Sequence, residues 1–202
     1  MWYHFCMILY HGSNTTGITT LEPRLADHGR PYVYLATVRE IALLYLCNAV
    51  ERPYYWFPYG FTKEMLEKGD LRPIYTEYWE GMVEDCAKGK KGCIYTVDVS
   101  SAQVAPLRDY KHAFLATQEV PVTSCEEIPD AYDEILRCVE EGKMFLQRYD
   151  QLSDAAREGQ KRSLIAELRE KNMIETPEDP YARLIREKMP EVWERYVSEA
   201  SD

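Results

Sequence analysis

The first forty-five residues set two β-prone runs on either side of a polar loop and end in a helix. Phe5-Cys6-Met7-Ile8-Leu9-Tyr10 is apolar and stops at His11-Gly12-Ser13. After a loop containing Gly17, Pro23 and Gly29, Pro31-Tyr32-Val33-Tyr34-Leu35-Ala36-Thr37 supplies a second strand. This run alternates too little for a half-exposed strand, which predicts a central position in a sheet. Thr37 can cap the helix that follows, where Val38, Ile41, Ala42, Tyr45 and Leu46 recur at helical spacing.

Further along, Tyr54-Tyr55-Trp56-Phe57 reads as a third strand, broken by Pro58 and Gly60. Asp70 and Pro73 mark a helix start, with Ile74, Tyr78, Met82 and Cys86 as its apolar stripe. Cys93 to Val99 alternates as a strand, and a strand pair is expected across Ala113–Leu115 and Gln118–Val122. Glu126 to Phe145 reads as a helix. From about Tyr149 the pattern is helical throughout. Ser153 caps one segment, and Asp179-Pro180 opens another whose apolar face runs from Tyr181 to Tyr196, interrupted by Pro190.

At 202 residues the chain can bury a normal core. Six scattered cysteines, Cys6, Cys47, Cys86, Cys93, Cys125 and Cys138, lack the paired spacing of a disulfide scaffold or zinc knuckle and read as buried thiols. No clustered His, Asp and Cys suggest a metal, and no glycine-rich loop ends in Lys-Ser or Lys-Thr. Net charge is −10, and Lys88-Gly89-Lys90-Lys91 forms only a short basic cluster, so nucleic-acid binding is disfavoured. No apolar run reaches the roughly eighteen residues of a membrane span, and the amino terminus lacks the layout of a signal peptide. A cytoplasmic location is the expectation.

Tyr10-His11-Gly12-Ser13, Val33-Tyr34-Leu35-Ala36, the helix ending at Tyr45 and Thr117-Gln118-Glu119-Val120-Pro121-Val122 occur in an order that resembles the ADP-ribosyltransferase superfamily. The likeness is to its His-Tyr-Glu branch, which is PARP-like and diphtheria-toxin-like, and it covers about residues 5–135. It implies NAD⁺ as substrate, with His11 on a ribose hydroxyl and the Gly12 backbone on the nicotinamide carboxamide. Tyr34 and Tyr45 would then sandwich the cationic ring. Ser13 and Ala36 complete the binding motifs, and Glu119 would offset the charge of an oxocarbenium-like transition state. The implied catalytic set is His11, Tyr34 and Glu119, without a metal.

Each residue also fits a plainer role. Gly12 suits any strand-to-turn junction, Tyr34 and Tyr45 suit a core, and an acid such as Glu119 suits an edge strand. A one-residue slip would turn Gln118 into the cleft instead. No Arg or Lys occurs before Pro23, unlike the related RNA 2′-phosphotransferases, and the arginine-specific members' first-strand arginine and two-acid motif are missing.

The expected fold is α+β, with two short packed sheets around an NAD-binding cleft over residues 1–147 and a helical extension over 148–202. The expected function is ADP-ribosyl transfer to an unknown acceptor, or NAD⁺ hydrolysis. The alternatives are a non-catalytic nucleotide-binding module of the same fold, or a toxin-like effector held by a partner protein. The 181–196 face is expected to dock on the domain or to meet another copy or a partner protein.

Overall fold

The structure is a computed structural model and describes residues 6–25, 29–47, 59–108 and 112–200. Strand β1 (Cys6–Ser13) leads through two short pieces, β2 (Thr20–Leu21) and β3 (Arg24–Leu25), to β4 (Pro31–Ala36) and α1 (Arg39–Leu44). Then come β5 (Tyr59–Gly60), α2 (Lys63–Lys68), β6 (Ile74–Thr76) and α3 (Met82–Ala87). The long β7 (Gly92–Ser100) precedes β8 (Val104–Pro106), β9 (Ala113–Ala116), β10 (Val120–Pro121) and β11 (Ser124–Ile128). Helix α4 (Ala131–Glu140) and β12 (Phe145–Gln147) complete this part. Three helices follow: α5 (Asp154–Glu170), α6 (Pro180–Lys188) and α7 (Pro190–Ala200).

The fold is α+β. Its principal sheet has seven strands in the order β11-β7-β1-β4-β9-β8, with β3 added to β4, and every pairing in it is antiparallel. The sheet stays open. Strands β2 and β10 pair separately, and β12-β6-β5 form a third sheet with one parallel pair. One large sheet and two small ones therefore replace the expected two short sheets.

Side-chain alternation gives the large sheet two buried faces. Leu9, Val33, Leu35, Tyr95 and Val97 pack with Leu21 and Val120 of the β2–β10 pair. On the opposite face, Ala36 and Ile94 pack with Ile41, Ala42 and Leu44 of α1 and with Ile135 and Cys138 of α4. Six residues are too few for an isolated helix, so α1 owes its existence to this burial, at roughly 1.5–3 kcal/mol per large side chain. Arg39 fixes where it sits: the guanidinium bonds both oxygens of Glu126 at 2.7 and 2.6 Å and also Glu134 at 2.6 Å. Burial opposes this charge, but the two carboxylates more than offset it and hold the guanidinium above its usual range.

The helices after β12 dock on the rest of the chain. Trp79, Met82 and Cys86 share a core with Leu164, Ile165, Leu168, Tyr181, Ile185, Val192 and Tyr196. Glu77, almost fully buried, ties this junction together by accepting from the backbone N–H of Val83 and Tyr149 and from Arg148 at 3.1 Å each. Gln160 of α5 donates to the Glu77 carbonyl. The apolar stripe from Tyr181 to Tyr196 is thus covered within the chain, on two helices, because Pro190 cannot continue the first.

Several elements differ from the sequence expectation. Ile74–Thr76 is a strand, because it zips alongside Phe145–Gln147, and α3 begins only at Met82. Helix α4 starts at Ala131, after Asp130 caps it, while the preceding Ser124–Ile128 joins the sheet edge. Helix α2, capped by Thr62 and stopped by Gly69, is an element that the apolar spacing of the sequence does not mark. The strand expected at 54–57 lies outside the described residues. Cys47, Cys86, Cys93 and Cys138 are buried free thiols, but Cys6 and Cys125 are exposed. Among the described residues, no helix is long and apolar enough to cross a membrane.

Candidate functional site

Strands β1 and β4 lie side by side yet share one rung, Tyr10 with Ala36. Beyond it the ladder stops, while β1 continues along β7 through Ser13 and β4 continues along β9. A sheet that loses its pairing between two central strands leaves backbone groups to be satisfied some other way. His11 does this for one of them. Its Nδ1 lies 2.8 Å from the Tyr34 carbonyl, so Nδ1–H donates there and Nε2 is left as an acceptor. Desolvation pushes the imidazole's pKa down, and Arg24 adds to this against the opposing hydrogen bond, so the neutral ring is favoured.

Alternation places Tyr10, Gly12 and Tyr34 on the α1 face and His11 on the other. Gly12 is pressed against the helix. A Cβ built there would meet the Ala42 carbonyl oxygen at 1.9 Å and the Tyr45 Cβ at 3.2 Å. The glycine is therefore required for α1 to reach the sheet, whatever else its backbone does. Ser13, half-buried at the strand end, accepts through its hydroxyl from the Thr15 N–H. Asn14 donates to the carbonyls of Leu46 and Lys91, tying the turn after β1 to the end of the α1 segment.

Tyr45, just past α1, stands close enough to Tyr34 for the two hydroxyls to disfavour each other's ionisation, and its hydroxyl hydrogen-bonds Tyr59. Burial, with a smaller contribution from Tyr34, raises the Tyr45 pKa and keeps the hydroxyl protonated. Tyr59 meets the ring of His112 edge-on at 6.3 Å, and Phe61 lies 4.7 Å from that imidazole. Desolvation lowers the His112 pKa as well. The His112 carbonyl accepts from the Thr37 N–H at 3.2 Å. Thr37 does not cap α1, whose N-cap is Val38 without a side-chain bond; among the described residues the buried Thr37 hydroxyl has no hydrogen-bond partner.

The fold thus brings Gly12, Tyr34 and Tyr45 together on the α1 face beside the β1–β4 split, with Ala36 buried at its root, while His11 reaches the Tyr34 backbone from the opposite face. Gln118 and Glu119 lie elsewhere in the chain's course: both are exposed on the turn between β9 and β10, rather than on a strand. Tyr59, Phe61 and His112 join the aromatic group without having been singled out by the sequence. No periodicity marks them, since two precede α2 and the third sits beside a turn. Among the described residues, no group of three or more His, Cys, Asp or Glu side chains could hold a metal ion.

Comparison with protein-family models, curated proteins and solved structures gives no match. The functional reading therefore rests on the residues themselves.

Proposed function

We propose that the chain binds NAD⁺ at the β1–β4 split and transfers its ADP-ribosyl group to an acceptor, or to water. The observation that carries this reading is the single-rung pairing of β1 with β4, bridged by His11 and flanked by Tyr34 and Tyr45. Two tyrosine rings offer the negative π-faces that a cationic nicotinamide ring prefers. A neutral His11 with Nε2 free to accept suits a ribose hydroxyl. The reaction would break the bond between ribose C1′ and the nicotinamide nitrogen and form one to the acceptor. Positive charge develops on the sugar in between, and Glu119 is the acid assigned to offset it.

The exposed turn that carries Glu119 favours a second reading, a non-catalytic nucleotide-binding module with the same residues. One experiment separates the two. The full chain is titrated with NAD⁺ by calorimetry, then incubated with labelled NAD⁺ and cell lysate while nicotinamide release and label transfer are followed. Binding with turnover supports the transferase, and binding without turnover supports the module. Folded protein that binds neither NAD⁺ nor nicotinamide nor ADP-ribose removes both.

A further inference from the structure

We infer that Cys93 and Cys125, diagonal neighbours across β7 and β11, form a site for a soft monovalent metal ion, copper(I). The register sets Cys125 opposite Tyr95 and Glu127 opposite Cys93, so alternation turns all four side chains to one face of the sheet. There the Cys93 thiol, the Cys125 thiol and the Tyr95 hydroxyl hydrogen-bond one another. Cys93 and Tyr95 belong to the core, whereas Cys125 is exposed on the edge strand and gives access to the cluster. Glu127, also exposed, makes the approach acidic.

The ligand follows from what each group can still do. The Tyr95 hydroxyl is committed, donating to the Thr15 carbonyl at 2.8 Å and accepting from the Ile18 N–H at 3.2 Å. Two sulfurs remain, and both cysteines are free thiols. A disulfide needs Cβ atoms about 3.8 Å apart, and diagonal neighbours across a strand pair stand roughly 7 Å apart, so joining them would shift the backbone. Sulfurs near enough to hydrogen-bond need part only a little to admit an ion about 2.3 Å from each. A nucleophilic role is disfavoured as well. Desolvation of the sulfur and its contact with Cys93 push the Cys125 thiol up to about 11, so the attacking thiolate is scarce at neutral pH.

The number of donors selects the metal. Structural zinc takes four ligands, and among the described residues no group of three or more His, Cys, Asp or Glu side chains could hold an ion. Copper(I) is soft, prefers thiolate sulfur and is satisfied by two such ligands. Binding breaks both S–H bonds, forms two Cu–S bonds and releases the two protons to water, with copper staying monovalent.

The test uses the full chain without oxygen and copper(I) held by bicinchoninate, whose colour fades as copper leaves it. The parent should withdraw about one equivalent per chain while light scattering reports no change in subunit number. Cys125→Ser, a change at an exposed position, should keep the parent's melting temperature and withdraw none, and Cys93→Ser should likewise withdraw none. Cys6→Ser, which removes the other exposed thiol, should match the parent. The inference is overturned if the folded parent leaves the copper with bicinchoninate, or if Cys125→Ser still takes it. Half an equivalent per chain with a doubled mass would overturn it too, because copper would then bridge Cys125 of two copies.

Discussion

His11 is a histidine whose neutral form the fold prefers, and this has a consequence for stability. Its folded-state pKa lies below the ordinary value of about 6.5, so the unfolded chain takes up the proton first as pH falls. Stability should therefore decline on acidification below about pH 6.5, with His112 acting in the same direction. Urea unfolding at pH 7.5 and 5.5 measures this, and His11→Gln should reduce the difference between the two pH values. A His11→Gln chain with an unchanged pH dependence would show that the ring is not held neutral. Glu119 is the residue on which the catalytic reading turns. Under that reading, Glu119→Gln leaves NAD⁺ affinity near the parent value while turnover falls on the order of a hundredfold. Parent-like turnover would move the role elsewhere, and Gln118→Ala is then the next variant to assay.

At the scale of elements, the contact between β1 and α1 is the closest fit in the candidate site. Gly12 leaves no space for a methyl group beneath the Ala42 carbonyl. Gly12→Ala should cost about 3 kcal/mol, because backbone rather than a flexible side chain would have to give way. A urea midpoint close to the parent's would show that α1 can lift off the sheet. The glycine explains itself by packing alone, so loss of NAD⁺ binding in this variant would say nothing about a backbone contact to ligand. Helix α3 teaches a related lesson. The spacing of Ile74, Tyr78, Met82 and Cys86 is helical, yet Ile74–Thr76 is extended, because pairing with β12 competes with a local helical turn. Pairing over a sequence distance of some seventy residues is invisible to periodicity.

For the whole molecule, the docked helices α5 to α7 complete a core that α3 cannot close alone. Truncation after Asp150 keeps Arg148 and Tyr149 on Glu77 but uncovers Trp79, Met82 and Cys86. The truncated chain should melt lower than the full one while light scattering reports no change in subunit number. A drop from dimer to monomer would instead make the Tyr181–Tyr196 face an interface between copies.

The sequence by itself determined what depends on neighbours along the chain. The strand ending at His11-Gly12-Ser13, the buried β4, the caps at Ser153 and Asp179 and the break at Pro190 all follow from local propensity and spacing. Tyr45 follows from helical spacing as part of the apolar face of α1, and the structure packs it, half-buried, against that core. Only the tertiary structure decided which strands stop pairing, which glycine has a carbonyl beneath it and which tyrosine bonds Tyr45. It also placed Glu119 on an exposed turn. Those outcomes depend on segments distant in sequence meeting in space, and no local pattern records how their backbone groups and charges are shared out.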